Sequence, residues 1–280
     1  MLVYHGRTMP LVSLPGAQIH YETAGDQGPR LLLIQGVGCI GAAWRPQIDG
    51  LAQHHRLAWF DNRGIGASAK LTAPLSIEQM AGDALGLLDH LGWESAHLVG
   101  HSMGGVIAQQ VALMAPQRVR SLVLASTLSR GRDVMRLQGR SLWLMLRGQL
   151  GTAAMRRQAF CDLIFPRSWQ EQVGRQRFIA GLPALYGRDL AQLPPISRQQ
   201  LAALRVHDIS GRLGELTQPT LVLKGGADLV IDPRQSDELA ARIPGARLRL
   251  FAAAGHGLPI QYADEFNACV REHVASAQRD

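Results

Sequence analysis

Lysine is almost missing from this chain: Lys70 and Lys224 stand against 27 arginines in 280 residues. The formal charge is +7, yet no basic run is interleaved with aromatics and no compact basic motif occurs. That distribution argues against a nucleic-acid partner. A biased genomic base composition produces such an arginine excess as readily as function does. Cysteine is scarce too. Cys39, Cys161 and Cys269 are widely spaced and odd in number, giving neither a disulfide framework nor a metal-ligand pattern. Such usage suits a reducing compartment. Long apolar runs are absent: no stretch reaches the length of a membrane span, and Met1 to Pro15 lacks the apolar core of a signal peptide. The expectation is a soluble, cytoplasmic protein, monomer or homodimer, with no membrane partner.

What is present suffices for a sizeable core, since 46% of residues are apolar and only 18% charged. The length fits one α/β domain carrying an insertion. Residues 18–22 read as an edge strand of a hairpin turning at Pro15-Gly16. Continuous apolar runs at 30–34 and 119–125 read as strands buried on both faces, and 56–60, 219–224 and 247–251 add three more. Helical spacing covers about 43–53, 76–91 (Ser76 as N-cap, Gly92 as C-cap), 234–243 and 260–275. This alternation implies a mostly parallel sheet wrapped by helices on both sides.

Between 128 and 214 the rhythm changes to helical patterns broken by Gly and Pro, with no convincing strand. Residues 129–214 hold fourteen arginines against five acidic residues. We read a core domain of 1–127 and 215–280 with a helical cap inserted at 128–214. Cap residues such as Trp143, Leu144, Phe160, Phe165 and Tyr186 could line an apolar pocket or form the cap's own core. The arginines read as a solvated face, although an anionic substrate would also suit them.

The chemistry centres on Gly100-His101-Ser102-Met103-Gly104. An apolar run precedes it and an apolar helical stretch follows, so Ser102 sits at the apex of a strand–turn–helix. Glycines two positions to either side let strand and helix pack closely around a strained central residue. The helix N-terminus there favours developing negative charge. A serine nucleophile needs a base, and the base an orienting carboxylate. Asp228 follows the strand ending at Lys224, and His256 lies between Gly255 and Gly257 after the strand ending at Phe251. Both are at strand carboxyl ends, where open α/β sheets place their sites. Each could also be a plain turn residue, and Asp232 is a rival acid that reads better as a helix N-cap. His101 neighbours Ser102 on an elbow whose side chains diverge, so it reads as packing beside the site. For the oxyanion, the N–H of Met103 is one natural donor and that of Val37, in Gln35-Gly36-Val37-Gly38, the other. Gln35, Gly36, Gly38 and His101 are expected to line the site.

Together the Gly36 loop, Asp61-x-Arg63-Gly64-x-Gly66-x-Ser68, Gly100 to Gly105, Gly226-x-Asp228 and Gly255-His256 resemble the α/β-hydrolase superfamily. Within it the chain is similar to capped bacterial carboxylesterases, 3-oxoadipate enol-lactonases and aclacinomycin methylesterase-like hydrolases. The resemblance implies an α/β-hydrolase fold with Ser102 as nucleophile, His256 as base and Asp228 as its orienter, needing no metal or cofactor. It also implies that Asp61 and Arg63 pin a glycine-shaped structural turn. One departure stands out: the family usually has His where this chain has Gln35. The expected activity is carboxylic-ester hydrolysis through an acyl-enzyme. Alternatives are a lactonase or carbon–carbon hydrolase with the same triad, and a slow-turnover ligand receptor.

Overall fold

The computed structural model describes residues 3–4, 7–8, 10–68, 74–135 and 139–277. Its centre is an eight-stranded sheet. The strands are β1 (Leu11–Leu14), β2 (Ala17–Ala24), β3 (Arg30–Ile34), β4 (Arg56–Phe60), β5 (Ala96–His101), β6 (Val119–Ala125), β7 (Thr220–Gly225) and β8 (Arg247–Phe251). They lie in the order β8-β7-β6-β5-β3-β4-β2-β1. The six strands from β8 to β4 run parallel, and β2 and β1 close one edge as an antiparallel hairpin.

Period-two alternation explains how this sheet holds helices on both faces. In β3, Leu32 and Ile34 join one core cluster with Met80 and Leu87 of α2 (Ile77–His90) and Val106 and Ile107 of α3 (Met103–Met114). Leu31 and Leu33 join the other, with Ile48 and Leu51 of α1 (Arg45–Leu51) and Phe266 and Val270 of the last helix. All four β3 leucine and isoleucine side chains are fully buried, each contributing about 1.5–3 kcal/mol of transfer free energy. Ser76 caps α2 through a reciprocal box with Gln79, and Gly92 ends it in the left-handed region at φ 65°.

Two helices differ from their sequence pattern. The helix expected from 43 is preceded by a tighter turn at Gly41–Trp44 and begins at Arg45, with Pro46 in its first turn. The stretch expected as one helix over 260–275 is broken at Tyr262, whose φ −128°, ψ 52° is not helical. The break separates α10 (Leu258–Gln261) from α11 (Ala263–Ser276).

Between β6 and β7 the chain forms α4 (Gly139–Arg147), α5 (Ala153–Ile164), α6 (Arg167–Gln172), α7 (Arg175–Tyr186) and α8 (Ser197–Val206). Cys161, Phe165, Leu182, Tyr186 and Leu190 make a small core of their own. Leu204, Ile209 and Leu213 instead pack into the main cluster beneath the sheet. Among the described residues no helix is long and apolar enough to cross a membrane.

Candidate active site

β5 ends at His101 and α3 begins at Met103, leaving Ser102 alone at the turn with φ 55°, ψ −124°. A non-glycine residue there is strained, at a cost of order 1–3 kcal/mol. The flanking glycines make the turn possible. A Cβ on Gly100 would lie 2.6 Å from the Cα of Gly105, and one on Gly104 would lie 2.6 Å from the carbonyl carbon of Ile34. The main chain of Ser102 is held at both ends: its N–H donates to the Ala125 carbonyl (3.0 Å), and its carbonyl accepts from Thr127 Oγ1 (2.6 Å). Sequence reasoning missed Thr127; its position just past the end of β6 was the available signal.

Asp228 and His256 come together as expected. Asp228 Oδ1 accepts from the N–H groups of Val230 (2.8 Å) and Ile231 (3.0 Å), so its carboxylate is aimed by its own turn. Its Oδ2 accepts from His256 Nδ1 at 2.8 Å. That bond places the ring proton on Nδ1 and leaves Nε2 with its lone pair. The two loops are tied together, Gly226 N–H to Phe251 carbonyl (2.9 Å) and Ala227 N–H to Ala254 carbonyl (2.8 Å). The His256 loop also docks on α5: Gly257 donates to the Ile164 carbonyl at 2.9 Å. Both Asp228 and His256 are buried. Among the described residues no hydrogen bond joins Ser102 Oγ to His256, but both line one cavity; such bonds often tighten only with substrate present.

His101 is placed beside the site, as its position on the elbow suggested. Its Nε2 donates to the His256 carbonyl at 2.8 Å, and its ring lies 4.8 Å from that of His256. Burial, then the neighbouring His256, lowers its pKa to about 3, so it is neutral near pH 7.

The Gly36 loop lies against the serine. A Cβ on Gly36 would sit 3.0 Å from Ser102 Cβ, so only glycine fits comfortably. Among the described residues, no acceptor takes the N–H of Val37 or of Met103. The Met103 side chain is buried in the core, so only its main chain is offered to the site. Gly36, Val37, His101, Ser102 and His256 line the cavity, whereas Gln35 and Gly38, expected there too, do not. Gln35 is buried and its Oε1 accepts from the next residue's N–H, Gly36, at 3.2 Å. Gly38, at φ 69°, gives its N–H to Gln200 Oε1 at 2.9 Å.

The cavity holds about 780 Å³. Leu144, Phe160, Leu163 and Tyr186 give it an apolar wall, whereas Phe165, Trp169 and Phe178 stack among themselves. Arg156, Arg188 and Arg198 also line it, so the arginine excess is not wholly a solvated face. The Asp61–Ser68 turn is structural. Asp61 accepts from Gly41 N–H (2.7 Å) and Ala67 N–H (2.9 Å), and Arg63 forks Asp83 at 2.5 and 2.8 Å. The rival acid Asp232 pairs with Arg234 at 2.6 Å, just ahead of α9 (Arg234–Arg242). Among the described residues no group of three or more His, Cys, Asp or Glu side chains is placed to hold a metal ion.

A strained serine between strand and helix thus shares one cavity with a carboxylate-oriented histidine carried on later loops. Residues 29–261 match the family model described as the alpha/beta hydrolase fold, and the chain belongs to that family. A candidate carbamate hydrolase, RutD, of Stutzerimonas stutzeri is 33% identical over 267 residues, covering 92% of this chain and 97% of that protein. A hydrolase of Pseudomonas aeruginosa superposes with TM-score 0.76 at 30% identity, over 95% of this chain and 98% of its own. The enol-lactonase of Burkholderia xenovorans gives 0.79 at 26% identity, over 95% and 100%.

Proposed function

We propose that this hydrolase cleaves carboxylic esters through a Ser102–His256–Asp228 triad and an acyl-enzyme. The observation that carries the reading is the strained Ser102 sharing one cavity with a histidine whose Nδ1 is engaged by buried Asp228. His256 Nε2 takes the Ser102 proton as Oγ attacks the ester carbonyl. The oxyanion that forms is held by the Val37 and Met103 N–H groups. As the tetrahedral adduct collapses, the alcohol leaves with the proton from His256. Water then attacks the acyl-enzyme by the same route, releasing the acid and restoring Ser102. Residues 128–214 act as the cap that selects the acyl group, through the wall formed by Leu144, Phe160 and Leu163.

A second substrate class has specific support. The same steps open a lactone, and one close structural relative is an enol-lactonase matched over its whole length. The test is a panel of p-nitrophenyl esters from acetate to laurate beside a panel of five- to seven-membered lactones. Turnover peaking at one acyl length and vanishing in Ser102→Ala supports the esterase reading. Turnover confined to lactones replaces it with the second. Folded protein inert on both panels would count against both.

A further inference from the structure

The cavity wall carries three arginines and, among the described residues, no aspartate or glutamate. Arg188 is the most constrained of the three. Its Nε donates to the Gly38 carbonyl at 3.3 Å, and its Nη1 to the carbonyls of Asp189 (3.3 Å) and Gln192 (2.5 Å). Its guanidinium also stands 5.4 Å from the centre of the Phe160 ring. Its Nη2 has no acceptor among the described residues. The adjacent carboxylate, Asp189, is exposed and is forked by Arg157 at 2.7 and 2.8 Å. Arg188 is therefore a half-buried cation fixed by carbonyls and a ring, with no carboxylate bonded to it. Burial lowers its pKa from the ordinary arginine value, as expected of a cation partly stripped of water.

A second observation falls on the same corner. Ser197 is completely buried, lines the cavity, and has a hydroxyl with no hydrogen-bond partner. That hydroxyl lies against Gly38, 2.8 Å from where a Cβ would stand. Gln200 spends Oε1 on the Gly38 N–H and leaves Nε2 buried and unpaired. Unmade donors of this kind are costly in an interior and are normally satisfied. Around Gly38, one residue past the oxyanion-loop valine, donors converge and anionic acceptors are absent.

We propose that Arg188 and Ser197 form a carboxylate subsite beside Gly38, so that preferred substrates carry an anionic group remote from the scissile carbonyl. This rests on the serine-hydrolase reading of the same cavity. A planar fork with both Nη2 N–H groups free and a neighbouring hydroxyl match the two oxygens of a carboxylate. Because Arg188 is already held by three carbonyls, little order remains to be imposed when the anion arrives. The apolar wall would then take the methylene chain between the two ends of the substrate.

The test compares mono-p-nitrophenyl esters of glutarate, adipate and suberate with the neutral pentanoate, hexanoate and octanoate esters. The readout is the ratio of kcat/KM within each length-matched pair, which cancels any general loss of activity. The wild type is expected to favour the anionic ester by on the order of tenfold to a hundredfold. Arg188→Gln should bring the ratio to about one, through KM more than kcat. Arg188→Lys, which keeps the charge but not the fork, should fall between. Binding is read separately by titrating Ser102→Ala with monomethyl adipate and with dimethyl adipate. The monoester should bind more tightly, and Arg188→Gln in that background should erase the difference.

The two arms separate the subsite from the chemistry. If every ester is inert but the monoester still binds in an Arg188-dependent way, the subsite stands and the esterase reading falls. Active enzyme with matched ratios near one, equal binding of the two adipates, or a preference unchanged in Arg188→Gln would overturn the subsite.

Discussion

His101 donates from Nε2 to the main-chain carbonyl of His256 at 2.8 Å, with the two rings 4.8 Å apart. The residue before the proposed nucleophile thus braces the backbone of the residue read as its base. A protonated His101 at that distance would oppose the imidazolium that the proposed mechanism places on His256. Burial prevents this by holding the His101 pKa near 3. The neutral ring can therefore position the base loop without competing for its proton.

His101→Phe keeps a ring of similar shape and removes the donated hydrogen bond. The expected result is a fall in kcat of roughly tenfold, equivalent to one lost interior hydrogen bond, with KM little changed. The pH profile of kcat/KM should shift with it, and His101→Gln, which restores a donor, should recover part of the loss. Steady-state kinetics across pH 5 to 9 checks this, and an unchanged kcat in His101→Phe would remove the positioning role.

Strain at Ser102 makes a prediction about stability alone. Glycine tolerates φ 55°, ψ −124° and alanine does not. Ser102→Gly should therefore be more stable than Ser102→Ala by about 1 kcal/mol in urea unfolding. Equal midpoints for the two variants would mean that the elbow stores no strain.

Gly257 has an ordinary φ of −78°, yet a Cβ there would enter the ring of Phe165. Gly257→Ala tests steric closeness without backbone strain. It should cost about 1–3 kcal/mol by overpacking and lower kcat by shifting His256. Phe165→Leu in the same chain should restore part of both losses, and a purely additive double variant would break the argument.

Two buried histidines away from the site add to His101 in making the fold sensitive to acid. His97 and His273 have pKa values lowered from 6.5 to about 4, first by burial and then by Arg120 and Arg247 respectively. Arg247 Nη2 donates to His273 Nδ1 at 3.0 Å, which requires that nitrogen to be unprotonated. Because the folded pKa values are depressed, the unfolded chain binds more protons between pH 6.5 and 4. Stability is full above 6.5 and falls as pH drops through that window, by a few kcal/mol in all. Urea midpoints at pH 7.5 and pH 5 measure it; equal midpoints would contradict the linkage.

Much of this molecule can be read before it is folded, because the relevant signals are local. The continuous apolar run of Leu31 to Ile34 and the N-cap at Ser76 depend on residues near in sequence. The chain order Ser102, Asp228, His256 is legible because each follows a recognisable apolar strand. What escaped depends on side-chain direction and local backbone geometry, and for Arg188 on a contact across a long separation. Arg188 reads as one more charge after a helix; only Gly187, at φ 64°, turns the chain so that its Nε reaches the Gly38 carbonyl. Gln35 looked like a wall residue, and its amide closing on the adjacent N–H is invisible to spacing. The break at Tyr262 likewise sits inside an unbroken apolar periodicity.

The most direct test of Ser102 as nucleophile is a pre-steady-state burst with a p-nitrophenyl ester, followed by mass analysis of the quenched protein. The account predicts a burst of p-nitrophenol stoichiometric with enzyme and one acyl group on the peptide containing Ser102. Neither should appear in Ser102→Ala. Turnover in Ser102→Ala near the wild-type rate, or an acyl group carried elsewhere, would contradict it.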